Sequence, residues 1–263
     1  MTSTTNQSTL LREDSDGVAT LTMNRPPARN SLSREMLDRL LHEFDVIATD
    51  KTVRVVIIAA TGPAFCAGHD MKQLRANPEE AYYKSLFALS SRLMKEIVDL
   101  PKPVIAQVHA IATAAGCQLV ASCDLAVAAR SAAFATPGVN IGLFCSTPLV
   151  ALTRNVGRKR AMEMLLTGDS IDAETAAEFG LINRVVADDR LAAETLELAT
   201  QIAEKSPLAI AIGKRAFYSQ IDLEVGEAYD VAAEAMARNM LAHDAEEGID
   251  AFLEKRAPRW EGR

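Results

Sequence analysis

The chain has 263 residues, a formal net charge of −7 and 49% hydrophobic residues, which is enough apolar material for one large domain or a domain with an appendage. Its 24% charged residues, 13 glycines and 10 prolines exclude a low-complexity chain. The acidic balance and the single tryptophan argue against a nucleic-acid or membrane surface. The four cysteines form no CxxC pair, so we expect no metal site, no disulfide framework and a reduced, cytoplasmic location.

The first sixty residues contain three predicted elements after a polar start, and we expect residues 1–10 to form a disordered tail. Residues 17–24 alternate between small or apolar and polar side chains, which predicts a half-buried strand. From Ser33 the apolar residues follow a 3.6-residue period, which predicts an amphipathic helix. Residues 53–60 are β-branched and apolar, a pattern typical of a parallel strand that is buried on both faces.

The middle of the chain continues this alternation of strands and helices. We predict a strand over 104–108, a helix over 116–122 and a strand over 125–128. Alternating strands and helices indicate an α/β fold. The sequence contains neither GxGxxG after a strand nor GxxxxGK[ST], which excludes the two most recognisable nucleotide-binding motifs.

Beyond Pro148 the pattern becomes mainly helical. The predicted helices cover residues 149–156, 159–166, 173–179, 190–205, 208–219, 225–241 and 246–256. Because Pro207 interrupts this series, we divide the chain into a first domain, 1–206, and a C-terminal helical module, 207–263.

Two turns of small residues each follow a predicted buried strand: residues 65–70 follow the strand over 53–60, and residues 112–118 follow the strand over 104–108. In parallel sheets, ligands collect beyond the carboxyl ends of the strands, where free backbone N–H groups point at them. Two N–H groups that converge on one oxygen form an oxyanion hole. The alternative is that both turns are only tight connections between strands and helices.

Several ordered motifs extend over almost the whole chain. They are NRPPARNSLS, AFCAGHDMKQL, KPVIAQVHAIATAAGCQLVASCDLAVA, FATPGVNIGLF and RAMEMLLTGDSIDAETAAEFGLINRVV. In this combination the chain resembles the enoyl-CoA hydratase/isomerase (crotonase) superfamily. HAIATAAGCQLVASCDLAVA, FATPGVNIGLFCSTP and AFLEKRAPRW further resemble its enoyl-CoA hydratase domain-containing protein 3 subgroup.

The resemblance implies an α/β fold, a crotonase-like spiral of ββα turns with a C-terminal α-helical oligomerisation module. It implies trimers, often paired into hexamers, and an acyl-CoA thioester as substrate. Coenzyme A would arrive as part of that substrate, with no other cofactor.

The resemblance also places the thioester oxygen between two backbone N–H groups, those of His69 and Ala115. Many relatives carry glycine at positions 114 and 115. We expect alanine to be compatible with the oxyanion hole, because the donor lies at a helix start, where φ is negative. This arrangement implies an enoyl-CoA hydratase-type lyase of fatty acid metabolism that stabilises a thioester enolate.

The acid and base residues depart from the pattern of the superfamily. Hydratases place two glutamates at positions that here hold Gln118 and Gly138. Gln118 cannot take a proton and Gly138 has no side chain, so addition of water lacks its usual base. The alternatives are a catalytically impaired thioester-binding protein, or an isomerase, thioesterase or dehalogenase-like activity that uses Cys145 or His69.

The remaining substrate contacts are implied by motif position alone. Ala28 and Arg29 would lie near the adenosine, Ala67 and Met71 along the pantetheine, and Lys72, Phe252 and Lys255 near the phosphates or a neighbouring subunit. The resemblance also implies substrate contacts at Gly68, Asp70 and Gly116.

Overall fold

The computed structural model describes residues 8–263 of the chain. Its strands are β1 Leu10–Ser15, β2 Val18–Met23, β3 Val55–Ala60, β4 Val104–Val108, β5 Ala112–Thr113, β6 Leu125–Ala129, β7 Ala133–Ala135, β8 Ser170–Asp172 and β9 Arg184–Val186. Its helices are α1 Arg34–Thr49, α2 Met71–Ala76, α3 Glu80–Asp99, α4 Ala115–Ser122, α5 Pro148–Asn155, α6 Arg158–Thr167, α7 Ala173–Glu178, α8 Leu191–Ala203, α9 Pro207–Gln220, α10 Val225–Met240 and α11 His243–Glu254. Short 3-10 helices cover Pro26–Ala28, Pro137–Ile141 and Asp188–Arg190.

The strands form two sheets. The larger sheet has the order β1-β2-β3-β4-β6-β9, and all neighbours are parallel except the β1–β2 pair. The smaller sheet has the order β5-β7-β8. Because β5 immediately precedes α4, the second sheet fixes the start of that helix.

Side chains of β3 enter two different hydrophobic clusters. Val56 and Ile58 belong to the main core with α1, α3 and α4, whereas Val55 and Ile57 pack in a second cluster with residues of α8. Successive side chains of a strand point to opposite faces, so this strand is covered on both sides. The predicted doubly buried parallel strand is confirmed.

Other predicted elements also lie where the sequence placed them, but several elements were missed. Ser33 caps α1, with its hydroxyl oxygen accepting a hydrogen bond from Met36 N. The sequence prediction omitted β1, the short helix α2, the twenty-residue helix α3, β9 and the smaller sheet. The predicted tail over 1–10 is wrong at its end, because Leu10 is buried and begins β1, while residues 1–7 lie outside the described part of the chain.

A buried ion pair connects the C-terminal helices to the large sheet. Lys214 of α9 donates hydrogen bonds from Nζ to Asp124 Oδ2 at 2.7 Å, to Ile97 O at 2.8 Å and to Lys102 O at 3.0 Å. The Tyr218 hydroxyl donates to Asp124 Oδ1 at 2.9 Å. Burial lowers the pKa of Lys214 more than the adjacent Asp124 carboxylate raises it. The buried charge of Lys214 is tolerated because its ammonium group donates a hydrogen bond to each of three acceptors.

The C-terminal helices expose many large apolar side chains. Across residues 8–263, neither α9 nor α10 contributes a fully buried residue. The exposed apolar residues of this region include Phe217, Ile221, Val225, Tyr229, Met236, Met240, Leu241, Phe252 and Leu253. Among the described helices, none is both long and apolar enough to cross a membrane.

Candidate active site

Two loops meet beyond the carboxyl ends of β3 and β4, and two glycines permit the contact. A Cβ atom added to Gly116 would lie 2.1 Å from Cys66 O, so the first turn of α4 rests directly on the backbone of the first loop. Gly68 has a φ of +86°, and its added Cβ would lie 3.2 Å from Ala115 N. Only glycine combines this conformation with so close an approach. The two turns singled out in the sequence therefore form one site.

Backbone hydrogen bonds hold the first loop from both sides. Thr113 N donates to Cys66 O at 2.9 Å, and Leu32 N donates to Gly68 O at 2.8 Å. Within residues 8–263, the N–H groups of His69 and Ala115 have no backbone acceptor. Because Ala115 is the first residue of α4, its N–H has no acceptor inside the helix. The site thus presents two free donors on adjoining loops.

Ala114, immediately before α4, adopts a strained backbone conformation. Its φ is +50° and its ψ is −118°, a combination that favours glycine. The negative φ expected at the donor residue, Ala115, is confirmed, because that residue is helical, whereas the residue before it has a positive φ. The hydrogen bond from Ala114 N to Ala135 O, at 2.9 Å, holds this residue against the smaller sheet. Alanine is accommodated here at a conformational cost of ~1–3 kcal/mol.

Asp70 organises the rim of the first loop. Its Oδ1 accepts hydrogen bonds from Lys72 N and Gln73 N, both at 3.1 Å, and thereby caps α2. Its Oδ2 accepts from Arg25 Nη1 at 2.8 Å. Although burial raises the pKa of Asp70, these hydrogen bonds and the Arg25 charge lower it further, so the carboxylate stays ionised. The structure thus gives Asp70 a structural role, and its substrate contact stays a prediction.

The other predicted contacts divide into two groups. Ala67 N donates to Arg29 O at 3.0 Å, which joins the segment containing Ala28 to the first loop, and the exposed Met71 and Lys72 begin α2 on the same rim. By contrast, Phe252 is 81% exposed and Lys255 directly follows α11, a helix that packs against α9 and α10. The contacts of these two residues with the phosphates or a neighbouring subunit stay predictions.

Gln118 and Gly138 are the two positions at which the resemblance noted in the sequence predicts the glutamates of a hydratase to be replaced. Gln118 lies on α4, one turn after Ala115, and is only 4% exposed. Gly138 follows β7, and a Cβ added to it would lie 3.0 Å from Cys145 Sγ and 3.0 Å from Leu143 O. The loop that carries Cys145 therefore fills the space in which a side chain at position 138 would begin.

Cys145 and His69, the two titratable side chains that could replace the glutamates as acid or base in other reactions, are both neutral near pH 7. Burial raises the pKa of Cys145, and the opposing hydrogen bond from Gly138 N does not reverse that shift, so the thiol keeps its proton. Burial lowers the pKa of His69 to about 4. A protonated thiol is a weak nucleophile, and a base with so low a pKa removes protons poorly at neutral pH.

The buried imidazole of His69 makes stability depend on pH. In the unfolded chain the group titrates near pH 6.5, whereas in the folded chain its pKa is about 4. Between these values the unfolded state binds more protons, so stability falls as the pH falls from about 6.5 to 4, by up to ~3 kcal/mol.

Urea unfolding of the native chain and of His69→Leu at several pH values tests this expectation. The native chain should lose more stability than the variant across that interval, while His42→Gln should behave like the native chain. Parallel curves for native and His69→Leu chains would show that His69 titrates normally.

Sequence reasoning missed two residues that organise this site, Arg25 and Phe87. The ring of Phe87, on α3, meets the ring of His69 edge to face, with 5.2 Å between the centroids. The apolar spacing of Leu86, Leu93 and Ile97 contains the signal for that helix. The ion pair between Arg25 and Asp70 joins residues 45 positions apart, and single-sequence patterns do not reveal such a pairing.

The model of the enoyl-CoA hydratase/isomerase family matches residues 13–263. The chain belongs to this family. It is 54% identical to an enoyl-CoA hydratase of Mycobacterium smegmatis whose crystal structure superposes with a TM-score of 0.94, covering 97% of this chain and 99% of the other. The human enoyl-CoA hydratase domain-containing protein 3 is 45% identical with a TM-score of 0.94, covering 96% of this chain and all of the other.

A mouse relative, named enoyl-CoA hydratase domain-containing protein 3, mitochondrial, is 46% identical over 93% of this chain and 82% of its own length. These similarities confirm the predicted superfamily, the subgroup and the crotonase-type α/β fold. They contradict the cytoplasmic location expected from the sequence, because the mouse, rat, zebrafish and human relatives are all named as mitochondrial proteins.

Proposed function

We propose that this member of the enoyl-CoA hydratase/isomerase family binds an acyl-CoA thioester and stabilises the enolate form of its acyl group. The observation that carries the proposal is the pair of free N–H groups, of His69 and Ala115, on two loops that Gly68 and Gly116 hold together. Coenzyme A enters as part of the substrate, and the names of the relatives support this substrate class.

The two donors would act on the thioester oxygen. Addition of a water oxygen to C3 of an enoyl thioester moves negative charge onto the thioester oxygen, before a proton is added at the α carbon, and fixed N–H groups favour the charged state without having to reorient. Ala115 begins α4, so the helix dipole adds to the same effect. The surrounding small residues let the thioester approach the backbone closely.

Hydration of an enoyl-CoA is the reaction that we assign to the site. The superfamily's two-glutamate route is replaced here, because Gln118 is a neutral amide and Gly138 has no side chain. This replacement favours a second candidate function, a thioester-binding protein without acid–base catalysis. The protonated thiol of Cys145 and the weakly basic imidazole of His69 argue against the thioesterase and dehalogenase alternatives.

Calorimetry with acyl-CoA thioesters, together with loss of enoyl absorbance, tests both candidates. We expect binding of butyryl-CoA and hydration of at least one short, medium or aromatic enoyl-CoA. Binding without turnover of any of them would overturn hydration in favour of the binding protein. Absence of binding would overturn both.

A variant with restored glutamates provides a matched comparison. Because the Cβ of a residue at position 138 would press on Cys145 Sγ, the variant combines Gln118→Glu and Gly138→Glu with Cys145→Ala. A higher rate of enoyl-CoA hydration in this variant would support the proposal that the native site stabilises the enolate and lacks only the acidic and basic side chains. The single variant Cys145→Ala is the control and should retain native turnover.

We further propose that the exposed apolar surface of α9, α10 and α11 packs against other copies of the chain. Large exposed apolar surfaces mark interaction sites. A trimer would have a mass of about 85 kDa, three times 28.4 kDa. Light scattering after gel filtration should give this value or twice it, and Tyr229→Glu should reduce it. A native mass of one chain would contradict this proposal.

A further inference from the structure

Residues 256–263 fold back along α11 and form a strap. The chain reverses at Lys255, which has a φ of +57°, and then runs towards the first turn of that helix. Arg256 forms an ion pair with Glu247, with Nη1 at 2.7 Å from Oε1 and Nη2 at 2.9 Å from Oε2. Arg259 N also donates to Glu247 Oε1, at 2.7 Å. The strap thus follows one face of α11 from its end back to its beginning.

The buried carboxylate of Asp244, in the first turn of α11, holds the far end of the strap. It is only 3% exposed, and it accepts hydrogen bonds from Glu261 N at 2.8 Å and from Gly262 N at 3.1 Å. The Ser206 hydroxyl, at the N-cap of α9, donates to the same carboxylate. Asp244 N donates to Arg263 O at 3.0 Å. One side chain therefore joins α9, α11 and the strap, because a carboxylate accepts several hydrogen bonds at once.

Trp260, the only tryptophan of the chain, holds the middle of the strap. Its indole Nε1 donates to Glu204 O, directly after the end of α8, at 2.8 Å. Its ring lies over Gly248 of α11, where an added Cβ would be 3.1 Å from Cη2 of the indole. The strap thus connects α11 to the junction between α8 and α9.

Burial of apolar side chains contributes little to the attachment of α11. Of its twelve residues, only Asp244 and Ala251 are buried. Ile249, Phe252 and Leu253 are exposed, and their spacing of three and four residues places them on one apolar stripe. By the same helical period, the residues that contact the strap lie on a different face. The orientation of the apolar stripe therefore depends on the polar contacts of the strap.

We propose that the strap, held by Asp244, is a positioning element that fixes α11 so that its apolar stripe meets another copy of the chain. This inference rests on the assembly proposed above. Among residues 8–263, neither hydrophobic cluster includes a residue of α11. Segments with few buried apolar contacts open locally while the core stays folded. Release of the strap should therefore free α11, dissociate the copies and leave both sheets intact.

Asp244→Asn tests the role of the strap in the full chain. The amide Nδ2 cannot accept a hydrogen bond, so the variant loses part of the contacts to the strap and to Ser206. We expect acrylamide quenching of Trp260 fluorescence to rise at least ~twofold, because the indole leaves its partners. Light scattering should give the mass of one chain, 28.4 kDa, with a native circular dichroism spectrum. The matched control is Asp250→Asn, an exposed position of the same helix, which should keep the native quenching and mass.

The outcomes separate the strap from the assembly itself. Native quenching in Asp244→Asn would overturn the role of Asp244, and increased quenching with a native mass would overturn the link between the strap and assembly. A native chain with the mass of one chain would instead overturn the assembly proposed above, and this inference with it.

Glu247→Gln provides a second test if Asp244→Asn does not fold. Glu247 is only partly buried, and the substitution removes the charge that pairs with Arg256 while keeping the size of the side chain. We expect increased quenching of Trp260, and dissociation of the copies at a higher protein concentration than for the native chain. A variant in which both properties are native would overturn the proposal.

Discussion

Gly116→Ala is expected to unfold the site and to abolish thioester binding. The new Cβ would lie 2.1 Å from Cys66 O and 2.8 Å from Cys66 C, and backbone atoms cannot move aside as a flexible side chain can. The first turn of α4 must therefore separate from the first loop. We expect a loss of ~3 kcal/mol of stability and at least ~100-fold weaker binding of butyryl-CoA.

The matched control for this prediction is Gly213→Ala in the middle of α9. A Cβ added to Gly213 meets no atom within 4 Å, and alanine favours a helix by ~1 kcal/mol over glycine. Urea unfolding should show the two substitutions moving stability in opposite directions. A Gly116→Ala chain with native stability and native thioester affinity would show that the loops are not in contact.

Lys214→Met is expected to destabilise the chain by ~3–5 kcal/mol, because it leaves the Asp124 carboxylate buried without its counter-charge. Two backbone carbonyls, Ile97 O and Lys102 O, also lose their donor. The hydrogen bonds to Asp124 from Tyr218 and from Val104 N, at 2.9 and 2.7 Å, remain but do not neutralise the charge.

Two comparison variants sharpen this second prediction, again by urea unfolding. Lys84→Met breaks the exposed ion pair with Glu80 on α3 and should not change stability measurably. Lys214→Met combined with Asp124→Asn removes both charges and should recover part of the loss. If Lys214→Met and Lys84→Met unfold at the same denaturant concentration, the buried pair does not stabilise the fold.

The regular part of the fold was predictable because its signals are local. The β-branched run over 53–60 predicted a doubly buried strand, and β3 covers Val55–Ala60. The apolar stripe after Ser33 predicted α1, and Ser33 is its N-cap. In contrast, β1 has a mixed, largely exposed sequence, and it is a strand because β2 supplies its partner. Whether such a segment forms a strand depends on its pairing with a neighbouring strand, and the hydrophobic periodicity of the segment does not reveal that pairing.

The sequence by itself determined the superfamily, the order of most elements and the two loops with their candidate donors, and it predicted the replacement of both expected glutamates. These properties are contained in residue identity and spacing. Only the tertiary structure decided that Gly116 rests on Cys66, that Ala114 is strained, that Cys145 fills the space beside Gly138 and that the His69 imidazole is buried and neutral. The physical reason is that close approach, burial and pKa depend on residues distant in the chain, which become neighbours only on folding.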